Sequence, residues 1–221
     1  MSISPKIALL EEYAIIARAM SAPARLSILE QLAQGERGVE ALAAKTGLSV
    51  ANCSQHLQQL RRAALVKSRR AGKSVIYRLS DAKTLELMDL LRIIAERNLA
   101  EVDHILRELL GGETPPEPVS RRELAARLAE GTVTLLDIRP LDEYAAGHIP
   151  GARQVALADL DSVSHSFAQA AEIVAYCRGP YCVYAHQAVA ALRKQGLNAR
   201  HLDGGFPEWR EEGRPVAAAA V

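Results

Sequence analysis

Residues 46–81 read TGLSVANCSQHLQQLRRAALVKSRRAGKSVIYRLSD, and this stretch decides the architecture of the first half of the chain. Thr46-Gly47 stops a short helix spanning Val39 to Lys45, and Ser49 supplies a side-chain cap for a second helix running to about Ala64. On that helix Val50, Cys53, Leu57, Leu60 and Ala64 recur at three- and four-residue spacing, which predicts a core-facing stripe. Ala51, Asn52, Gln55, Gln58 and Gln59 then lie on or near the open face, with Ser54 beside them. Two strand-like pieces follow, 65–69 and 74–79, joined by the basic turn Arg70-Ala71-Gly72-Lys73, which holds the glycine a hairpin needs. From Arg61 to Arg78 there are seven cationic side chains and no acid.

Short helix, turn, second helix and basic hairpin make up the geometry of a winged helix-turn-helix. One helix fits the major groove of duplex DNA and a hairpin reaches the flanking backbone. Asn and Gln amides suit base edges, and the cations suit phosphates. The candidate DNA contacts are Ala51, Asn52, Ser54, Gln55, Gln58, Arg69, Arg70 and Lys73. A basic hairpin alone is equally well a solvated edge strand; the polar-faced helix before it turns the balance. The quoted run resembles the recognition helix and wing of ArsR-type bacterial repressors, with the resemblance extending over roughly residues 8–110. It implies a homodimer formed through the first and last helices, two recognition helices on a two-fold double-stranded DNA operator, and operator affinity that falls when an inducer is sensed. Metal-sensing members carry ligand sets that are missing here. The helix Val39–Lys45 has no Cys or His, and Asp103 and His104 are adjacent, so they point about 100° apart on a helix. No metal and no cofactor is expected. Cys53 reads as core, and His104 as a surface or dimer-interface residue.

Outward from this stretch, residues 6–20 form one amphipathic helix and Pro23 starts another ending near Gly35. A long helical pattern covers 82–110, with Leu85, Met88, Leu91, Ile94, Val102, Ile105 and Leu109 at helical spacing. The strongest break is Gly111-Gly112-Glu113-Thr114-Pro115-Pro116-Glu117-Pro118, two glycines followed by a proline-rich extended stretch. Ser120 with Glu123 reads as a capping box beyond it. The expected organisation is therefore a mainly-α winged helix-turn-helix domain over 1–110, a linker over 111–118 and a second domain over 119–221. A net charge of +1 says nothing about the whole chain, but it is uneven: residues 1–110 carry 16 Lys and Arg against 12 Asp and Glu, and residues 111–221 carry 11 against 14. A polyanion is thus directed to the first half. No run approaches the roughly 18 apolar residues of a membrane helix, the N-terminus has acids where a signal peptide needs an apolar core, and three cysteines make no disulfide framework. A cytoplasmic protein that does not engage membranes is expected.

The second half alternates short apolar strands at 133–138, 172–176 and 199–202 with helical stretches at 121–129, 140–146 and 183–195, which predicts a small parallel sheet between helices. The strand Ile173–Tyr176 delivers Cys177 at its C-terminal end, where open α/β sheets place ligands. The loop Arg178-Gly179-Pro180-Tyr181-Cys182-Val183 then enters a helix. Its backbone N–H groups, other than at Pro180, and the helix N-terminus favour a thiolate at Cys177 and could cradle a persulfide or an oxyanion. Arg178 adds charge there or points to solvent. Cys182 is either a resolving thiol that closes a disulfide on Cys177 or a small packing residue at the helix start. A phosphate or arsenate chemistry of the Cys-x5-Arg kind is excluded, because the sixth residue after Cys177 is Val183.

LLDIRPLDEYAAGHIPGA (135–152) and HLDGGFPEWREEGRPV (201–216), with YCRGPYCVYAHQAVAALRKQG between them, resemble the ordered motifs of a single rhodanese domain over 119–216. The resemblance implies an α/β rhodanese-like domain with a central parallel sheet and a reactive Cys177. Asp137, Arg139, Glu143 and His148 read as a structural polar network and Trp209 as core; His186 and His201 have no partner legible in the sequence. Three functions follow as expectations. One is a transcriptional repressor in which thiosulfate, polysulfide or a persulfide modifies Cys177 and loosens the grip on DNA. Another is a working sulfurtransferase that the DNA-binding half localises or dimerises. The third is a DNA-binding protein whose rhodanese scaffold is inert.

Overall fold

A computed structural model describes residues 4–109, 116–167, 171–179 and 182–218. Most of the linker, Pro180, Tyr181 and the end of the alanine-rich tail lie outside the described residues. The chain gathers into two compact units, residues 1–88 and 89–221.

In the first unit α1 (Pro5–Met20) and α2 (Pro23–Ala33) each begin with proline, whose missing N–H costs nothing in a first turn. They lead to β1 (Arg37–Gly38), α3 (Val39–Thr46) and α4 (Val50–Arg62), followed by the hairpin β2 (Val66–Ala71) and β3 (Ser74–Leu79). Gly47 ends α3 in the left-handed conformation, and Ser49 caps α4 by accepting the Asn52 N–H at 3.2 Å. The hairpin turns on Gly72 and Lys73, with φ +62° at the glycine. β3 also pairs with β1, a strand the sequence pattern does not reveal, to give the antiparallel order β1-β3-β2. Ile28, Leu29, Leu42, Cys53, Leu57 and Leu60 are fully buried.

The stripe on α4 needs two corrections. Val50 is 48% exposed: it is the first residue of the helix, and its side chain leans toward the N-terminus, past the packed turns. Ala64 is exposed and has φ +56°, so it has left the helix. The Leu65 N–H reaches the Leu60 carbonyl at 3.0 Å and the Ala64 N–H reaches Arg61 at 3.0 Å, a Schellman closure with alanine where glycine is usual. Ala63 takes the buried place instead, at 4% exposure.

The long helix expected over 82–110 is two helices, α5 (Lys83–Asn98) and α6 (Ala100–Leu109). The Asn98 side-chain amide donates to the Ile94 carbonyl at 2.8 Å, competing with the backbone ladder, and Leu99 interrupts the helix. Leu85 and Met88 are buried, whereas Leu91, Ile94 and Ile105 are exposed.

In the second unit the order after α6 is α7 (Arg121–Glu130), β4 (Thr134–Asp137), α8 (Leu141–Ala146), β5 (Arg153–Gln154), α9 (Leu160–Val163), β6 (Ile173–Tyr176), α10 (Tyr184–Lys194), β7 (Ala199–His201) and α11 (Phe206–Glu211). Ser120 caps α7 by accepting the Glu123 N–H at 3.1 Å. The sheet order is β5-β4-β6-β7, all parallel. Alternation along the strands separates two cores. Leu136, Ile173 and Ala175 pack with Val189 and Leu192 of α10 on one face, and Leu135, Val174 and Tyr176 pack with Leu124, Phe206 and Trp209 on the other. Among the described residues no helix is long and apolar enough to cross a membrane.

Candidate functional site

Two candidate surfaces stand out, one on each unit. On α4, Ala51, Asn52, Gln55 and Gln58 are exposed and Ser54 is half-buried. Ala51, Gln55 and Gln58 lie within one face by helical spacing. Gln59 is less available, because its side-chain oxygen accepts a hydrogen bond from Arg25 at 2.7 Å. Arg70 and Lys73 stand exposed at the hairpin tip. Arg69 is also exposed, but its guanidinium donates to Glu36 at 2.6 and 2.9 Å, so part of its charge is already matched. Arg61, Lys67, Arg69 and Arg78 line a groove of about 470 Å³ beside the end of α4. A polar helix face with cations flanking it is the combination that reads bases and grips phosphates. Sequence reasoning missed the counter-charge at Glu36, which reaches the wing only through the β1–β3 pairing.

On the second unit all four residues of β6 are buried, and the strand ends in Cys177 at 1% exposure. The Cys177 carbonyl accepts the Phe206 N–H at 3.1 Å, tying the cysteine to the start of α11. Gly179 has φ +126°, and a side chain there would meet the Glu208 carboxyl at 3.1 Å, so glycine is required twice over. Glu208 in turn accepts the Gly205 N–H at 2.8 Å, and burial pushes its carboxyl up to about 7. The Cys182 N–H donates to the Gly179 carbonyl at 3.0 Å.

Cys177 and Cys182, their Cα atoms 6.2 Å apart, are joined as a disulfide packed with Ala185. Val183 precedes α10 in helical conformation and is 38% exposed. Arg178 turns to Glu143, donating to its carboxylate at 3.0 to 3.2 Å, so its charge is matched. Of the loop residues singled out in the sequence, Cys177, Arg178, Gly179, Cys182 and Val183 are placed, and Tyr181 lies outside the described residues.

Buried polar residues surround the loop. Asp137 and Arg139 are buried together at 2.6 Å, with the Tyr176 hydroxyl donating to Asp137 at 2.6 Å and Arg139 donating to the Gly147 carbonyl at 2.7 Å. His148 instead meets the Tyr144 carbonyl at 2.9 Å. His186 and His201 are each other's neighbours, their ring centroids 4.3 Å apart. Burial pushes both imidazoles down, His201 to about 3, so both are neutral near pH 7. Among the described residues no cluster of His, Cys, Asp or Glu could hold a metal ion.

The profile of the bacterial regulatory protein arsR family matches residues 22–68, and that of the rhodanese-like domain matches residues 120–212. The chain is 41% identical over 215 residues to the HTH-type transcriptional regulator Rv0324 of Mycobacterium tuberculosis, covering 97% of this chain and 94% of that one. It is 40% identical over 83 residues to the biofilm growth-associated repressor of Agrobacterium fabrum, covering 38% of this chain and 71% of that one. A solution structure described as a homodimeric winged helix-turn-helix DNA-binding domain, from a possible ArsR-family regulator of Mycobacterium bovis, is 37% identical with a TM-score of 0.41, covering 45% of this chain and 92% of that one. A winged helix with a polar recognition face, followed by a parallel sheet that ends in a cysteine loop and matched to a relative along nearly its whole length, makes this chain a member of the arsR family of bacterial regulatory proteins with a rhodanese-like domain behind its DNA-binding half.

Proposed function

We propose that this DNA-binding transcriptional regulator is a cytoplasmic homodimeric repressor that responds to reactive sulfur at Cys177. The observation that carries the reading is that Cys182 stands within disulfide reach of Cys177 at the mouth of a buried parallel strand. A sulfur donor would transfer one sulfur atom to the Cys177 thiolate. The Cys182 thiolate would then attack Cys177 Sγ, forming the Cys177–Cys182 bond and expelling sulfide. The dithiol is oxidised by two electrons and the transferred sulfur is reduced by two. Thiosulfate, polysulfide and persulfides are the donor classes that fit this step. In the functional division proposed, residues 1–110 hold DNA and the dimer partner and residues 119–221 hold the sulfur chemistry.

Dimerisation has its own support. Ile7, Leu10 and Tyr13 recur every three residues on α1 and are 52%, 53% and 61% exposed, and Leu87, Leu90, Leu91 and Ile94 leave an apolar face on α5. Such faces on a single chain mark an interface. Repression is supported by the name of the relative from Agrobacterium fabrum.

The test is mass spectrometry of the full chain after exposure to inorganic polysulfide, with a DNA shift assay on the same sample. A Cys177 persulfide or a Cys177–Cys182 disulfide appearing together with weakened DNA binding supports the reading. Weakening that persists unchanged in Cys177→Ser removes it. A second reading, a sulfurtransferase localised by its DNA-binding half, is favoured by the same cysteine loop and predicts steady turnover of thiosulfate and cyanide by the full chain.

A further inference from the structure

Cys177 and Cys182 open onto a cavity of about 190 Å³ within the second unit. Among the described residues, four charged ones line it: Arg92, Glu96, Glu117 and Asp203. The single cation is committed, with Arg92 contacting Asp89 at 2.8 Å, Glu96 at 2.8 Å and Asp203 at 3.0 Å. The cation of the loop itself, Arg178, faces Glu143. Arg121, beyond Gly204, is bound to Glu212 and the Asp203 carbonyl. His186 and His201 also line it, and burial keeps both neutral. The described lining therefore carries one positive and three negative charges. Against this, the N-terminus of α10 offers only about half a positive charge.

We infer that this cavity selects uncharged organic polysulfides as donors to Cys177 and disfavours dianions such as thiosulfate. The inference rests on the reading of Cys177 as the reacting thiol. With a dialkyl trisulfide, the Cys177 thiolate attacks a terminal sulfur, one S–S bond breaks and an alkyl persulfide anion leaves. Cys182 then attacks Cys177 Sγ and expels the alkyl thiolate. Two thiols lose two electrons, the trisulfide gains them, and the two leaving anions take up the two protons. With thiosulfate, the thiolate takes the outer sulfur and sulfite leaves, which brings a dianion against like charge.

The test measures modification of the reduced full chain by thiosulfate and by dimethyl trisulfide, with each rate divided by that of dithiothreitol under the same conditions. At low salt the thiosulfate-to-trisulfide ratio is expected to fall below that of dithiothreitol on the order of tenfold, to recover as salt is added, and to rise several-fold in the Glu96→Gln/Glu117→Gln variant. A ratio equal to that of dithiothreitol and indifferent to salt overturns charge selection while leaving the reacting thiol in place. Failure of both donors to modify Cys177 overturns the reading of the thiol itself, and this inference with it.

Discussion

Asp137 is fully buried against Arg139, itself 1% exposed, and also accepts the hydroxyl of Tyr176, the last residue of the strand that leads to Cys177. Removing one member of such a pair leaves the other charge desolvated, which costs far more than the pair contributes. Asp137→Asn is expected to destabilise the second unit by about 3–5 kcal/mol, read from the midpoint of urea unfolding. Glu208 makes a prediction of opposite kind. Its carboxyl is raised from 4.5 to about 7, so the folded chain holds a proton there that the unfolded chain has lost. Stability from this site is full below pH 4.5 and is lost as pH rises through about 7. Glu208→Gln keeps an oxygen for the Gly205 N–H and removes the charge. Its melting temperature is expected to exceed that of the parent at pH 8 and to match it near pH 4.5. At this scale Cys177 and Asp137 were legible, because a strand end and a motif announce them. Glu36 and the His186–His201 pair were not, because each acquires its partner through a contact distant in sequence, and Glu208 was not, because its burial against Gly179 arises only in the folded chain.

Elements followed the pattern wherever the cue was local. Ser49, Gly47, Gly72 and Ser120 each mark a boundary through a cap or a positive φ, and each boundary stands within a residue or two of its expected place. β1 and β5, two residues apiece, have too little sequence to show a period and exist through their pairing with β3 and β4. The interruption at Leu99 was hidden because apolar spacing continues across it, while the Asn98 side chain diverts the Ile94 carbonyl. Ala64, in a left-handed cap, is a place where glycine removes strain. Ala64→Gly is expected to stabilise the first unit by up to about 1 kcal/mol, measured by thermal unfolding. On the hairpin, Lys73→Ala is expected to weaken DNA binding alike across sequences and to lower the salt slope by about 1. Gln55→Ala on α4 is instead expected to cost about 1–3 kcal/mol on the preferred operator and little on unrelated DNA. An equal loss on all sequences would move Gln55 from base reading to phosphate contact.

The whole molecule joins a DNA reader to a thiol loop, and both halves could be read from ordered motifs because each is a self-contained pattern. Dimerisation is tested through Leu90→Asp/Ile94→Asp, which places charge on the exposed face of α5. Sedimentation is expected to show monomer and operator affinity to fall, whereas an unchanged dimer would move the interface elsewhere. The central claim is that the state of Cys177 sets how tightly the other half holds DNA. Its most direct measurement is operator dissociation by fluorescence anisotropy at fixed salt, comparing the dithiol with the Cys177–Cys182 disulfide in the parent chain and repeating both conditions in Cys177→Ser. The expected result is an affinity at least about tenfold weaker for the disulfide form, a difference of about 1.4 kcal/mol, with Cys177→Ser indifferent to the same treatment. Equal affinity of the dithiol and disulfide forms would contradict the claim.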